Sequence, residues 1–530
     1  MRVLPCEHTD EAIAWHDVDG DGRKDLVRQA ARWLEVYLID EHREFEQSPG
    51  WRVAITAPWD LWDFADVRAD EPGEELLALS PQGVGWMSYY DRMTSTAQMD
   101  LLVTATLPVN WDEHRAYQGH FAVQLAKNRP LDLLLPSRSG LRVFRRQSDG
   151  LPSGGWEAVE ELSASTQPWP RFGVESEQTY MVGFHAWWAE PGPRSRPPVE
   201  PLRPTWRQYS FRSSWSASGG WLLDWNGDGC LDWATRNGGR RQGLRICLQT
   251  AQGRFDRERP VVPRWPGAAR EPDVDEEEPG SRRAPSLEDS DRISADAMIS
   301  FTDLADVNGD GRLDLLRISA LENWAAPKTR IAVYLQRPEN TFLDQPDQVL
   351  RIGALLPTDV LPLADLDGDG DLDLLLLRID LDAASVSSNL KAFVRKGIEA
   401  YLGAYLWRGG AGYAKRPAWE KRIVIGHEMF EFSRDPRPLM QFDRDLTGDD
   451  RPDLVLRLSR ETVGVFAMTD SERGFAETAT ATLKVPFPVE AIECGDFDGD
   501  GRNDVLIEGW DVEERDRLPR AVFFGEPTAP

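Results

Sequence analysis

The chain has 530 residues, with 89 acidic against 61 basic side chains and a net charge of -28, a balance that argues against nucleic acid as a partner because phosphate would be repelled. Hydrophobic residues make up 41%, enough for a core, yet no apolar run reaches the roughly 20 residues a membrane helix needs, so no transmembrane segment is expected. Met1 to Cys6 lacks the apolar stretch of a signal peptide, so either an export signal is absent from this chain or Met1 is the native start and the protein cytoplasmic.

In chain order, the first unit opens with a short apolar segment, Ala12 to Trp15. An acidic nine-residue loop from Asp17 to Asp25 follows, and then two alternating segments, Leu34–Leu38 and Trp51–Ile55. Alternation of this kind predicts half-buried strands. The second unit starts at Phe64-Ala65-Asp66 and resumes at Glu75–Leu79, but Arg68 takes the third ligand position. The third unit spans Phe121–Asn128 and Leu131–Leu135, where Gln124, Ala126 and Lys127 leave too few anionic ligands. Metal is not expected in either loop. The pattern then lapses into a Pro, Trp and Arg-rich insertion at about 161–218, preceded by an outer strand of the third unit near Gly155–Val159. Connections this long are functional or unstructured.

The fourth unit returns at Asp224–Asp232 and is followed by an acidic insertion at about 268–296, with few apolar residues to bury. The fifth loop is Asp306–Asp314 and the sixth Asp365–Asp373, the latter running into Leu374-Leu375-Leu376-Leu377, which predicts a buried strand. Behind it, in a third insertion at 380–402, Leu390, Phe393, Val394, Ile398, Tyr401 and Leu402 share one face at helical spacing, predicting a short helix. The seventh loop is Asp445–Asp453 and the eighth Asp496–Asp504. After it only Val522–Phe524 remain for strands, so Arg2–Leu4 from the other terminus is expected to supply the missing outer strand.

The good loops place oxygen donors at positions one, three, five and nine, and mostly glycine at four and six. Several carboxylates this close repel one another unless a hard divalent cation sits between them. The candidate ligands are Asp17, Asp19, Asp21 and Asp25; Asp224, Asn226, Asp228 and Asp232; and Asp306, Asn308, Asp310 and Asp314. The later loops add Asp365, Asp367, Asp369 and Asp373; Asp445, Thr447, Asp449 and Asp453; and Asp496, Asp498, Asp500 and Asp504. The expected cofactor is Ca2+, about six structural ions by the loop count. An EF-hand needs a Glu at position twelve, where these loops have Arg28, Thr235, Arg317, Leu376, Leu456 and Ile507.

Strand, acidic loop, strand, hairpin, strand is a unit that cannot bury both faces alone, and radial stacking solves this. The expected fold is therefore an all-β β-propeller of about eight four-stranded blades, forming a single domain over 1–530. Seven blades are the alternative if one degenerate unit forms no sheet. The pattern D-x-[DN]-G-D-G-x-x-D between apolar strands resembles the FG-GAP/VCBS repeat family, the calcium-loop blades also found in integrin α-subunits and bacterial surface proteins. The resemblance implies calcium ligation by the first, third, fifth and ninth loop residues, with a carbonyl at the seventh.

No nucleophile elbow, phosphate-binding loop, H-E-x-x-H or paired-cysteine zinc motif occurs in the sequence. The expected function is a non-catalytic recognition or scaffold module for a protein or glycan, a monomer or a subunit of a larger assembly, placed outside the cell where calcium is plentiful. The alternative is a carbohydrate-active enzyme of polysaccharide-lyase type on the same scaffold. Trp59, Trp62, Trp86, Tyr89 and Tyr90, and His185 to Trp188, are candidate stacking surfaces, whereas His114, His120 and His427 lack metal-ligand spacing. Cys6, Cys230, Cys247 and Cys494 permit three pairings or four thiols.

Overall fold

A computed structural model describes residues 2–4, 12–30, 32–46, 48–55, 61–68, 71–90, 99–107, 117–118, 121–126, 129–137, 140–146, 155–163, 209–211, 220–236, 244–263, 298–321, 328–352, 363–379, 397–426, 440–470, 473–509 and 519–525. The three expected insertions fall almost wholly outside these residues.

The fold is an all-β β-propeller whose repeating element is an antiparallel sheet, and eight such blades are formed among the described residues. The chain divides into two compact units. In the first unit, blade one comprises Ala12–His16, Asp25–Ala30, Trp33–Tyr37 and Trp51–Ala54. Blade two comprises Leu61–Ala65, Glu75–Ser80, Gly83–Met87 and Asp100–Thr104, with Tyr117–Gln118 lying parallel to its first strand. Blade three is Ala122–Val123, Asp132–Pro136, Gly140–Arg146 and Trp156–Ser163, the last being the outer strand expected near 155–159. Blade four is Gly220–Leu223, Asp232–Arg236 and Leu244–Cys247, extended by an isolated bridge from Ile246 to Val261. Blade eight contains Asp504–Gly509 and Arg520–Phe523, with Arg2–Val3 at one edge of the sheet. Arg2 opposes Val522 and Val3 opposes Ala521. The N-terminal segment supplies the missing outer strand, as its sequence position required.

The second unit holds blade five, of Met298–Ala305, Asp314–Leu321, Lys328–Tyr334 and Gln348–Ile352, with Tyr209–Phe211 on its first strand. Blade six is Leu363–Ala364, Asp373–Ile379, Gly397–Tyr405 and Trp419–Gly426. Blade seven is Met440–Arg444, Asp453–Ser459, Thr462–Phe466 and Ala481–Lys484.

The uninterrupted leucines of blade six show why these sheets stack. Leu374 and Leu376 pack with Leu316, Ile331 and Val333 of blade five, while Leu375 packs with Phe442, Leu454 and Leu456 of blade seven. A strand covered on both faces has no reason to alternate. Each buried leucine contributes about 1.5–3 kcal/mol.

The helix expected in 388–402 is not formed where the chain is described. Residues 388–396 lie outside the described residues, and Gly397–Tyr405 is a strand paired on both sides. Ala400, Leu402 and Ala404 pack in the core shared with blade seven, a period of two rather than 3.6, while Tyr405 packs in the core shared with blade five. The two alanines carried the core face, so the larger side chains beside them imitated a helical stripe. A short 3-10 turn forms at Gly409–Ala411, and no helix among the described residues is long and apolar enough to cross a membrane.

Candidate metal centres

Each acidic loop is first a device for satisfying its own backbone. The position-one carboxylate accepts the amide of position six: Gly22 to Asp17 at 3.0 Å, Gly229 to Asp224 at 3.0 Å, Gly311 to Asp306 at 2.9 Å, Gly370 to Asp365 at 3.0 Å, Asp450 to Asp445 at 2.7 Å and Gly501 to Asp496 at 3.1 Å. The position-five carboxylate accepts the amide of position seven, as Arg23 donates to Asp21 at 2.8 Å and Asp371 to Asp369 at 3.0 Å. Position three joins in where Asp19 accepts from Asp21 and Asn308 from Asp310, both at 3.2 Å. Glycines at four and six hold positive φ, for example +73° at Gly20 and +88° at Gly22, which lets the backbone curl at little cost.

The ninth residue does something its motif position does not announce. Asp25 is buried and accepts Val18 N–H at 3.1 Å and Ile39 N–H at 3.0 Å, one on each oxygen. The same pair of bonds recurs in Asp232 (Trp225 and Gln249), Asp314 (Val307 and Gln336), Asp373 (Leu366 and Trp407), Asp453 (Leu446 and Met468) and Asp504 (Phe497 and Gly525). Position nine therefore clamps its loop to the far end of the following hairpin. Burial drives these carboxyls up, to about 8 for Asp25, Asp232, Asp314 and Asp504 and about 7 for Asp373, against the pull of the donated amides. Neighbouring acids add to the rise.

Three of the predicted sets converge as carboxylate clusters: Asp17, Asp19 and Asp25; Asp365, Asp367 and Asp373; and Asp496, Asp498 and Asp500, each with ligand atoms within 4.8 Å of one another. In the eighth loop Asp500 is the third member of that cluster rather than Asp504. The fourth, fifth and seventh loops carry Asn226, Asn308 and Thr447 at position three. Asn226 and Asn308 donate to Asp228 and Asp310 at 3.0 and 3.2 Å, and Thr447 lies 3.4 Å from Asp453.

The donor set fits a hard cation. All side-chain donors are oxygens, and Asp17 Oδ1 and Asp367 Oδ1 are sealed from solvent without a hydrogen-bond partner, an arrangement that costs energy unless a cation supplies the missing partner. Burial and adjacent carboxylates push Asp17, Asp19 and Asp367 upward.

The loops also join one blade to the next. In the first unit Lys24 N–H donates to Asp498 O, Glu74 N–H to Asp17 O and Leu231 N–H to Leu125 O, each at 2.8 Å; in the second, Leu372 N–H donates to Val307 O at 3.0 Å. Gly20 has no room for a side chain, since a Cβ there would lie 2.4 Å from Pro72 Cβ.

The two degenerate loops carry protein cations. Arg68 stands at the third position, 2.9 Å from Glu71 and over the Trp86 ring at 5.0 Å. Glu75 replaces the ninth aspartate and accepts Val67 N–H at 2.9 Å. In the third loop Arg145 donates to buried Asp132 at 2.8 Å.

The aromatic candidates divide. Trp62 is fully buried with its Nε1–H donated to Gln29 at 2.8 Å, and Tyr89 is buried with its ring edge against Trp51, so both belong to the core. Tyr90 is exposed, and its hydroxyl donates to Asp19 O. Trp59, His114, His120, His185, Trp187, Trp188 and His427 lie outside the described residues, as does Cys6. Cys230 and Cys247 are unbridged thiols.

No curated protein matches the chain. Among solved structures, one described as the structural basis of recognition of non-reducing terminal N-acetylglucosamine by an Agrocybe aegerita lectin is 13% identical, covers 80% of this chain and 81% of its own, and superposes with a TM-score of 0.34. Residues 306–376, from the fifth acidic loop through the sixth, match the family described as FG-GAP-like repeat.

Proposed function

We propose that this propeller is a calcium-stabilised, non-catalytic recognition or scaffold module, working outside the cell and binding a protein or glycan. The observation that carries the reading is the repeated network of the six acidic loops, in which each ninth carboxylate is buried and bonded to two backbone amides. Carboxylates committed to holding a turn and a hairpin together are poorly placed to shuttle protons or attack a substrate. Bound calcium would supply positive charge to loops whose acids are desolvated and crowded. Asp17, Asp19 and Asp25, Asp365, Asp367 and Asp373, and Asp496, Asp498 and Asp500 would hold it, with the Asn and Thr-containing loops completing about six sites.

Thermal unfolding with EDTA and with millimolar calcium, read beside a glycan array and an absorbance assay for unsaturated sugar products, tests both halves of the proposal. A rise in the midpoint with calcium and binding without turnover are expected. An unchanged midpoint overturns the calcium half. Turnover abolished by one side-chain change overturns the non-catalytic half.

A further inference from the structure

The turn that closes the first-blade hairpin holds a residue out of keeping with its siblings. In blades one, four and five this turn has the same hydrogen bonding: Arg43 N–H to Asp40 O, Gly253 N–H to Thr250 O and Asn340 N–H to Arg337 O, all at 2.7–2.9 Å. The donor adopts positive φ in each, +58° at Arg43, +78° at Gly253 and +59° at Asn340. Glycine and asparagine suit that conformation, whereas arginine is strained in it. Such strain persists where surrounding contacts demand it.

Those contacts lie in the eighth loop. Arg43 Nε is 3.1 Å from Asp498 Oδ2, an ion pair that makes no hydrogen bond, and its guanidinium also pairs with Asp500, donates to Gly525 O and covers the Phe524 ring. The Asp498 side chain is 1% exposed and that of Arg43 21%. Arg502 reaches Asp500 as Arg23 reaches Asp21 and Arg312 reaches Asp310, so the loop's own arginine is common to several loops. Arg43 is additional, comes from another blade, and engages the third-position ligand. Arg408 touches the corresponding Asp367 of the sixth loop at 3.0 Å, but it belongs to the same blade and is more than half exposed.

We propose that Arg43 is the resident cation of the eighth loop: its guanidinium occupies Asp498 and Asp500, so calcium enters this loop only by displacing a contact between the first and eighth blades. The eighth loop is then the weakest of the calcium sites, and its filling is coupled to the seam beside the Arg2–Val3 closing strand. This rests on the calcium reading above. The second loop shows the same substitution completed, with Arg68 built into the ligand position itself.

The test is calcium titration by calorimetry of metal-stripped wild type, Arg43→Gly, which suits the positive φ, and Arg43→Gln, which keeps the side chain's length without its charge. One site is expected to be weaker than the rest in wild type and to tighten at least tenfold in both variants, and Asp498→Asn in the Arg43→Gly background should remove it. Isotherms of wild type and variants that show binding yet superimpose overturn this inference alone. No uptake by any of the proteins overturns the calcium reading and the inference with it.

Discussion

The ninth-position clamp makes a prediction that separates structure from ligation. Asp373 is fully buried and accepts Leu366 N–H at 3.0 Å and Trp407 N–H at 2.7 Å. Asp373→Ala leaves both amides buried without acceptors, at a cost of about 1–3 kcal/mol each, so about 2–6 kcal/mol together. That loss is expected in EDTA below the group's raised pKa of about 7, where no buried charge offsets it, with no ion involved. In calcium at a hundredfold excess over Kd the wild type gains roughly a further 2.7 kcal/mol that the variant forgoes. Urea unfolding followed by tryptophan fluorescence gives the global cost, and hydrogen exchange over 363–379 and 397–407 reports whether the Leu366 and Trp407 amides open. A variant within about 0.5 kcal/mol of wild type in EDTA, the usual range for a featureless site, with both amides still protected, would refute the clamp and leave Asp373 as a metal ligand only.

Burial places Glu75 at about 7 against 4.5 in the unfolded chain. Because the folded pKa is the higher, its contribution is fully present below pH 4.5 and lost as pH rises through 7, by up to about 3 kcal/mol. Glu75→Gln should lack this fall, and a wild-type-minus-variant difference that stays flat from pH 4 to about 8 rules it out. At loop position four, Gly20→Ala meets Pro72 Cβ at 2.4 Å whereas Gly368→Ala meets nothing within 4 Å, although their φ values are +73° and +78°. Both substitutions bear backbone strain of about 1–2 kcal/mol, but Gly20→Ala should lower the melting temperature further. Equal losses would mean that the blade-to-blade contact at Pro72 carries no energy.

Much of this architecture was legible because the repeat writes strands and loop in one local pattern, and the match over 306–376 falls on two of its best copies. The N-terminal strand was legible too, since Val522–Phe524 alone could not complete a blade. The helix misreading has a local cause: Ala400 and Ala404 fill the narrow space between sheets but carry little hydrophobic signal. The clamp was invisible because its partners lie 14 to 34 residues away, Ile39 from Asp25 and Trp407 from Asp373 among them. An aspartate at position nine reads as a ligand until the hairpin beyond it is placed. Trp62 was misleading for the opposite reason, as a large aromatic is equally suited to a binding face and to the core that it fills.

Blades two and three explain why counting acidic loops undercounts blades. Their first-to-second-strand connections have lost the pattern of acidic ligands, yet the sheets form with the same register, Ala65 opposite Glu75 and Val123 opposite Asp132. What a loop must supply is a cation near its remaining acids and a cap for its inner amides. Arg68 and Arg145 supply the cation, and Glu75 still caps Val67. Adjacent loops help as well, because Asp17 O accepts the Glu74 amide and Leu125 O accepts the Leu231 amide. A guanidinium costs the chain a long side chain's conformational freedom but does not depend on the calcium concentration. Blades braced in this way should hold their turns where the acidic loops soften. Calcium withdrawal is therefore expected to loosen the propeller unevenly, with hydrogen exchange rising first at 365–373 and last at 61–80. Uniform loosening would mean that the two arginines brace nothing.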